Sequence, residues 1–284
     1  MIATAALSRI DLHLHTTASD GTLTPEELVT AAARRGVSVI GLTDHDITDG
    51  LALAEPAARR LGVELVAGVE INTDWKGSEV HLLGYFTEVF NPGLQEELKR
   101  LRQGREERNR KILARLRALG HGLDPRRVAE IAGEGSVGRP HIAAALVEAG
   151  QIESMGEAFR RLLTPGKPAY VPRYRITPAQ AVAIVLEAGG VPVLAHPAKL
   201  RDESLIKPLV DAGLLGLEAY HCDHTPAATA HYLDLARRYG LLVTGGTDSH
   251  GPRSERPVEI GSVAVPEEVW PRLEEAMQNQ RPAS

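Results

Sequence analysis

Asp11-Leu12-His13-Leu14-His15 is a short run of alternating polar and apolar residues near the start of a 284-residue chain. In a β-strand, alternate side chains point to the same face, so His13 and His15 would share one face. Leu12 and Leu14 would then face the opposite way, toward a packed core. Because two imidazoles on one face can bind the same metal ion, the run predicts a buried strand that carries a metal site.

The same arrangement recurs along the chain, where short runs of Val, Leu, Ile and Ala are closed or interrupted by a residue that metals bind. These places are Thr43-Asp44-His45-Asp46, Gly68-Val69-Glu70, His81, Ala195-His196-Pro197 and Thr247-Asp248-Ser249-His250. A (β/α) barrel collects its catalytic groups in this way, at the carboxyl ends of successive parallel strands. The pattern therefore predicts an α/β barrel and a multinuclear metal site together.

The composition limits the class of protein. A hydrophobic content of 43% over 284 residues is enough for a large core, in one barrel with an insertion or in two domains. A net charge of -5 gives no overall attraction to nucleic acid or to an anionic membrane, so we expect no stable binding of long duplex DNA. The single cysteine, Cys222, excludes an internal disulfide and a Cys-rich zinc site. The start of the chain lacks the features of a signal peptide and no run is long enough to span a membrane, which predicts a soluble, cytoplasmic protein.

Alternating strand and helix signals are present at both ends of the sequence. Thr24-Pro25-Glu26-Glu27 is a capping box that predicts a helix ending at Gly36, and residues 51–61 predict the next helix. Thr177-Pro178 predicts the start of a later helix. The predicted strands are residues 37–42, 63–69, 191–195, 214–219 and 241–244. We therefore expect a discontinuous metal-binding barrel formed by residues 8–90 and 175–280.

Residues 91–174 have a different character and predict a helical insertion domain over the active site. Residues 94–119 are strongly charged with leucines at helical spacing, and Asp124-Pro125 and Gly138-Arg139-Pro140 each indicate a further helix start. The first of these segments is basic, but glutamates interrupt the basic residues. A solvated helix face with pairs of opposite charge is the favoured interpretation, and an RNA-binding track is the alternative.

Several motifs, taken together and in order, resemble those of the PHP (polymerase and histidinol phosphatase) family of metal-dependent phosphoesterases. They are His13-Leu14-His15, Thr16 to Gly21, Thr43-Asp44-His45, Gly68-Val69-Glu70, Ala195-His196-Pro197 and Gly246-Thr247-Asp248-Ser249-His250. The resemblance implies a PHP-type, distorted (β/α)7-like barrel. Gly138-Arg139-Pro140-His141-Ile142 and residues 166–172 further resemble the branch that hydrolyses nucleoside 3′,5′-bisphosphates and trims short RNA from its 5′ end.

By this resemblance the chain would hold two to three divalent metal ions. The first ion would be bound by His13, His15, Glu70 and Asp248, the second by Glu70, His81 and His196, and the third by Asp20, His45 and His250. Many relatives have a histidine where this chain has Asp20. The additional oxygen ligand favours Mn²⁺ or Fe²⁺, with Zn²⁺ as the alternative.

Such ions can lower the pKa of a bridging water toward neutrality and neutralise charge on phosphoryl oxygens, so no protein nucleophile is required. His221 and His224 follow a predicted strand end, where they would bind phosphate or protonate the leaving oxygen; ordinary loop histidines are the alternative. Asp44 would orient an imidazole or make a structural hydrogen bond in its turn, and Asp46 has the same two interpretations.

A metal cluster alone does not select a substrate, so nearby cations and aromatic side chains are candidates for substrate contacts. Arg139 at a helix start would bind a second phosphate through its guanidinium, with a capping or salt-bridge role as the alternative. Lys199 and Arg175 are further candidate cations, with surface placement as the alternative, and Tyr220 is a candidate for stacking on a base.

Three functions are consistent with these features. The leading hypothesis is a phosphomonoesterase acting on nucleoside 3′,5′-bisphosphates such as adenosine 3′,5′-bisphosphate, with 5′–3′ exonuclease action on short 5′-phosphorylated oligonucleotides. A small-metabolite phosphatase of the histidinol-phosphate type is the second, although Arg139 and the insertion argue against it. The third is a non-catalytic PHP regulatory module, against which the complete set of ligands argues.

Overall fold

The structure, a computed structural model, describes residues 9–132, 137–172 and 174–281. The described residues form two compact units. One unit combines the chain up to Leu98 with the chain from Ile176 onward, and the other is Lys99–Arg175. No helix within the described ranges is both long and apolar enough to cross a membrane.

Seven strands of the first unit form one sheet in which each strand pairs with its neighbours in chain order. The strands are β1 Ile10–Leu14, β2 Val39–Leu42, β3 Glu64–Trp75, β4 Ser78–Phe86, β5 Val191–Leu194, β6 Gly216–His221 and β7 Leu242–Gly246. Strands β1, β2 and β3 are parallel, as are β5, β6 and β7, whereas β4 is antiparallel to both of its neighbours. The sheet is therefore two parallel halves joined by one reversed strand.

The first and last strands meet, so the sheet curls into a nearly closed barrel. Leu14 and Ser249 form a parallel bridge, and the His15 amide donates a hydrogen bond of 3.1 Å to the Ser249 carbonyl oxygen. Gly246 lies so close to β1 that a Cβ atom there would be 2.5 Å from the His13 backbone nitrogen. Only glycine fits at this contact. The predicted distorted seven-stranded α/β barrel is confirmed.

Helices alternate with the strands along most of the chain. The α-helices of the described residues are α1 Pro25–Arg34, α2 Asp49–Leu61, α3 Pro92–Ala118, α4 Pro125–Ala132, α5 Arg139–Glu148, α6 Met155–Ala158, α7 Pro178–Glu187, α8 Ile206–Asp211, α9 Pro226–Tyr239 and α10 Val269–Gln280. The predicted capping box of α1 is confirmed, because Thr24 and Glu27 exchange side-chain to backbone hydrogen bonds of 3.2 and 2.9 Å. Thr177 caps α7 with Gln180 in the same way.

The hairpin of β3 and β4 differs from the prediction, which ended the third strand before Glu70. The strand instead continues to Trp75, and Lys76 and Gly77 turn the chain with positive φ angles of 51° and 82°. A two-residue turn of this handedness matches the twist of an antiparallel pair and lets the strands run on. Glu70 therefore lies within its strand. His81 likewise lies within β4, where it pairs with Asn72.

Alternate residues along the strands point to opposite faces of the sheet, one packed with apolar side chains and one that carries the polar ligands. Leu12, Val39, Val66, Leu83 and Val193 belong to one buried apolar cluster, which also packs against α10. On β1, Leu12 and Leu14 are fully buried, and so are the intervening His13 and His15. The two leucines are buried on one face of the strand and the two histidines on the other. This arrangement fixes the register of β1, because a shift by one residue would exchange the two pairs.

The second unit is helical and has a core of its own. Helix α3 continues from the first unit into this one, and α4, α5 and α6 follow, then a π-helical turn at Phe159–Leu163. Ile112, Val128, Ile142 and Leu163 are buried in its apolar cluster. The predicted helix starts after Asp124 and Gly138 are confirmed. The position of this unit over the active site stays a prediction.

Candidate metal centre

Four side chains from β1, from β3 and from the segment after β7 converge inside the barrel and form the first candidate ion site. His13 Nε2 and His15 Nε2 each lie 3.1 Å from Glu70 Oε2. The same two nitrogens lie 3.4 and 3.2 Å from Asp248 Oδ1. Two imidazoles and two carboxylates around one point are a ligand set suited to a divalent transition-metal ion. The structure thus brings together the four residues predicted for the first ion.

Glu70 presents its other oxygen to a second group of ligands. Its Oε1 lies 2.8 Å from His81 Nδ1 and 3.0 Å from His196 Nε2. One carboxylate therefore faces both the first and the second set of imidazoles, as predicted for a bridging ligand.

The third predicted set is looser and involves His15 as well. Asp20 Oδ1 lies 3.3 Å from His250 Nε2, and Asp20 Oδ2 lies 3.7 Å from His45 Nε2. His15 Nδ1 is 3.8 Å from the same Asp20 carboxylate. The other ring nitrogen of His45, Nδ1, is 3.2 Å from Glu70 Oε2. One imidazole therefore lies near a carboxylate of the third set and near the carboxylate that the first two sets share.

A metal ion fits this arrangement because several of the converging atoms have no other polar partner. His13 Nε2, His15 Nε2 and Glu70 Oε2 are buried and make no hydrogen bond within the described parts of the chain. Buried polar atoms without a partner carry a large desolvation cost, and a cation at their common centre would remove it. All nine residues predicted as ligands lie in these three sets.

The pKa values of the ligand histidines are shifted in opposite directions: those of His45 and His196 are lowered, and that of His15 is raised. Burial favours the neutral ring and lowers the pKa of His45 and of His196 to about 4. Burial also acts against protonation of His15, but the nearby carboxylates of Asp248 and Glu70 outweigh it and raise its pKa to about 10. The surrounding imidazoles hold the pKa of Glu70 well below its usual value despite burial. Since only a neutral imidazole binds a metal ion, His15 must lose a proton when an ion binds.

Two of the ligand residues have a backbone conformation that side chains disfavour. The φ angle is 27° at His196 and 52° at Asp248. Left-handed conformations of non-glycine residues cost about 1–3 kcal/mol and are concentrated at functional sites. Each of these residues directly follows a strand or its short extension, so the strained turn directs the side chain into the barrel.

Glu218 was not predicted and is a buried carboxylate on β6 behind the first two ligand sets. It is fully buried, and its oxygens accept hydrogen bonds from the His13 ring at 2.9 Å and from the His196 amide at 2.7 Å. Burial raises its pKa, but His13 and the nearby imidazoles lower it to about 2, so the carboxylate is ionised. The available signal was an acidic residue within the otherwise apolar segment 214–219.

Asn72 is a second residue near the ligands that was not predicted from the sequence. Its side-chain amide donates to Asp46 at 3.1 Å and lies 3.2 Å from His45 Nδ1. Asp46 also accepts the Asn72 backbone amide at 2.9 Å. Asp46 thus orients the His45 imidazole through Asn72. Its position in the sequence could have indicated it, because Asn72 lies two residues after Glu70 and therefore on the same strand face.

The Asp44 carboxylate is surrounded by hydrogen-bond donors of the turn that follows β1. It accepts hydrogen bonds from the Thr16 amide at 2.8 Å, the Thr16 hydroxyl at 2.7 Å and the Ser19 hydroxyl at 2.6 Å. These bonds hold the turn that leads to Asp20. Of the two predicted roles for Asp44, the geometry favours the structural hydrogen bond.

His221 and His224 lie side by side but have different environments. The Asp223 amide donates to His221 Nδ1 at 3.0 Å, so the neutral ring carries its proton on Nε2, which lies 3.5 Å from Asp248 Oδ2. His224 Nδ1 instead donates to the Ala219 carbonyl at 2.8 Å. His221 therefore directs an N–H group toward the ligands, whereas His224 supports its own loop.

Lys199, one of the predicted substrate cations, lies at the candidate metal centre. Its Nζ is 3.0 Å from Asp248 Oδ2 and 3.4 Å from Asp223 Oδ2. Asp223 also forms an ion pair with Arg256, a cation that was not predicted. Burial acts to lower the pKa of Lys199, but Asp248 and Asp223 raise it, so the ammonium group is charged.

The other predicted substrate contacts are described within their own units. Arg139 is the first residue of α5; its Nη1 donates to the Leu163 carbonyl at 3.2 Å, and its guanidinium lies 5.8 Å from the centre of the Phe159 ring. Arg175 is the last residue of the helical unit. Tyr220 packs against the apolar core cluster of the barrel, which favours packing over the predicted stacking on a base.

A nearly closed barrel whose strand ends converge on adjoining His and carboxylate sets defines a metal-dependent hydrolase. Residues 11–120 match the family model described as the PHP domain. The chain belongs to the PHP family of metal-dependent phosphoesterases.

Relatives that align over most of the chain have names in three activity classes. A 3′,5′-nucleoside bisphosphate phosphatase of Chromobacterium violaceum is 37% identical, covering 87% of this chain and 88% of the relative. The 5′-3′ exoribonuclease Rnm of Salmonella typhimurium is 34% identical, covering 85% of each chain. A phosphoribosyl 1,2-cyclic phosphate 1,2-diphosphodiesterase of Eggerthella lenta is 37% identical, covering 85% of this chain and 94% of the relative.

A similar solved structure is that of a proposed metal-dependent phosphoesterase from Bifidobacterium adolescentis. It has a TM-score of 0.80 and 30% sequence identity, covering 94% of this chain and 96% of the other.

Proposed function

We propose that this protein is a phosphomonoesterase that removes one phosphate from nucleoside 3′,5′-bisphosphates and also shortens 5′-phosphorylated oligonucleotides from the 5′ end. The observation that carries the proposal is the single Glu70 carboxylate shared between two sets of imidazoles. Such a shared ligand is typical of sites where adjacent ions act on one phosphoryl group. Similarity to a bisphosphate phosphatase and an exoribonuclease over most of their lengths supports the substrate class.

The ligand scheme of this proposal has two to three divalent ions. His13, His15, Glu70 and Asp248 would hold the first, Glu70, His81 and His196 the second, and Asp20, His45 and His250 the third. The carboxylate of Asp20 favours Mn²⁺ or Fe²⁺ over Zn²⁺. When bound, such ions activate water and neutralise charge on the phosphoryl oxygens.

The protein's own groups complete the chemistry around these ligands. Lys199 carries a positive charge beside Asp248, where it can bind a phosphoryl oxygen. His221 presents Nε2–H on the same side of Asp248, where it can donate a proton to the leaving oxygen. A nucleoside alkoxide is a poor leaving group, so this proton transfer is the step at which the protein itself lowers the barrier.

We expect His221→Asn to lower kcat for a bisphosphate by roughly 10²- to 10⁴-fold, the usual contribution of a general acid. The ester of 4-nitrophenol should be affected far less, since its leaving group departs without a proton. The measurement is kcat for both substrates. The matched control is His224→Asn, which changes the neighbouring imidazole but leaves the Nε2–H of His221 in place; equal losses on both esters in His221→Asn would contradict a general-acid role.

Arg139 is proposed to bind the phosphate that is not hydrolysed. Arg139→Ala should then cost about 2–4 kcal/mol in transition-state binding of a bisphosphate, as for truncating one half of a charge-assisted pair. A monophosphate ester should be nearly unaffected. The ratio of kcat/KM values for adenosine 3′,5′-bisphosphate and adenosine 5′-monophosphate measures this difference.

Arg126→Ala is a suitable control, because Arg126 is an exposed arginine of the same helical unit. It should leave the ratio unchanged. If Arg139→Ala lowers kcat/KM equally for both substrates, Arg139 has a structural role or contacts the scissile phosphate.

A second candidate function is hydrolysis of a phosphodiester in a cyclic sugar phosphate. The observation in its favour is the 37% identity to the Eggerthella lenta diphosphodiesterase, equal to that of the bisphosphate phosphatase. A substrate panel distinguishes the candidates: adenosine 3′,5′-bisphosphate, pApA, histidinol phosphate and a phosphoribosyl cyclic phosphate, each with Mn²⁺. The proposal requires the highest kcat/KM for the bisphosphate. A higher value for the cyclic diester or for histidinol phosphate would replace it, and no turnover of any member would favour a non-catalytic module.

A further inference from the structure

Glu218 makes two hydrogen bonds that link ligands of two different proposed ions. Its Oε1 is 2.9 Å from His13 Nδ1, and its Oε2 accepts the backbone N–H of His196 at 2.7 Å. The side chain is fully buried on β6, and no part of it is exposed to solvent. Each oxygen therefore has one assigned partner within the barrel.

The bond to His13 determines which ring nitrogen is available to a metal ion. A carboxylate only accepts hydrogen bonds, so Nδ1 of His13 must carry a proton, and in the neutral ring that can bind a metal ion the lone pair is then on Nε2. His13 Nε2 is the atom that converges with Glu70 and Asp248 in the first ligand set. The orientation of the proton at one end of the ring thus prepares the other end for coordination.

The bond to His196 acts on the backbone of a ligand residue. His196 has a φ angle of 27°, in the left-handed region that side chains disfavour. Its N–H group points to Glu218 Oε2, and its Nε2 lies 3.0 Å from Glu70 Oε1. The hydrogen bond holds the strained residue in the conformation that brings its imidazole to the second ligand set.

We infer that Glu218 is a positioning residue that fixes the His13 ring in its Nδ1–H form for the first metal site and holds the His196 backbone in place for the second. This inference rests on the ligand scheme proposed above. It does not depend on which phosphate ester is the substrate.

The substitution Glu218→Gln tests the inference because an amide has one acceptor oxygen where the carboxylate has two. The His196 backbone N–H can only donate, so the amide oxygen must face it. The amide NH₂ group then faces His13 Nδ1, which must become an acceptor, and the ring proton moves to Nε2. That proton would occupy the position from which His13 binds the first ion.

The experiment uses the full chain labelled with ¹⁵N-histidine and loaded with Zn²⁺ alone. In the wild-type protein we expect a hydrogen-bonded Nδ1–H signal from His13, assigned by its loss in His13→Gln. In Glu218→Gln this signal should disappear, and competition with a chelating dye should show that one Zn²⁺ ion binds roughly 10- to 100-fold more weakly. Lack of the Nδ1–H signal in the wild-type protein would overturn the inference without recourse to any variant.

Asp11→Asn is the matched control for loss of a buried carboxylate. Asp11 is fully buried in β1 and accepts hydrogen bonds from Thr247 and Gly261. This variant should lose thermal stability but keep the Nδ1–H signal of His13. A signal that persists in Glu218→Gln, or a Zn²⁺ affinity within about twofold of wild type, would show that Glu218 has only a packing role. Because no substrate is used, either result is separable from failure of the proposed phosphatase activity.

Discussion

Replacing Glu70 with glutamine should reduce phosphate release by on the order of 10³-fold or more, since several kcal/mol of transition-state stabilisation depend on adjacent metal ions and each 1.4 kcal/mol is tenfold. Glu70 is the one carboxylate that faces both His13 and His81 among the described residues. Glutamine has nearly the same shape but lacks the charge and one acceptor oxygen. The measurement is kcat/KM for adenosine 3′,5′-bisphosphate together with the metal content of the purified variant.

Glu64→Gln provides the control for this substitution, because Glu64 begins the same strand, β3, and is exposed. It should retain the wild-type rate and metal content. A Glu70→Gln protein with the wild-type rate would show that the shared-carboxylate scheme is wrong.

Removal of the metal ions should abolish phosphate release altogether. The purified protein is expected to contain two to three ions of Mn, Fe or Zn per chain, and a chelator should remove both the ions and the activity. Adding back Mn²⁺, Fe²⁺ and Zn²⁺ separately identifies the ion that restores the highest kcat; from Asp20 we expect Mn²⁺ or Fe²⁺. Protein with less than one ion per chain that remains active in chelator would contradict the metal-dependent scheme.

The barrel was predictable where one residue pattern determines one structure. On β1, alternation of leucine and histidine allows only one face to be apolar, and the structure buries Leu12 and Leu14 in packing while His13 and His15 converge on Glu70. The capping box at Thr24 is equally local. Such features depend on residues adjacent in the sequence, so the sequence alone predicts them.

The β3–β4 hairpin was not predictable in the same way. The strand was expected to end before Glu70, since carboxylates more often follow a buried strand than interrupt one. The carboxylate is accommodated within β3 only because imidazoles from other strands surround it, His13 and His81 among them. That information is not local to the strand.

The residues that support the ligands were missed for a related reason. Glu218 and Asn72 are not among the proposed metal ligands; they contact His13, His196 and His45 through hydrogen bonds. Glu218 lies 205 positions from His13 in the sequence. An isolated acidic residue in an apolar segment indicates that a partner exists, but the identity of the partner requires the fold.

The parallel bridge between Leu14 and Ser249 has a consequence for the order of events during synthesis. It joins the first strand to the segment that carries Asp248 and His250, so residues made at the beginning meet residues made near the end. In the proposed scheme, the second ion site needs His196, and the first and third need Asp248 and His250. On this scheme, a chain growing on the ribosome cannot complete its ligand sets until the segment after β7 has emerged, and full metal loading would be a late step of maturation.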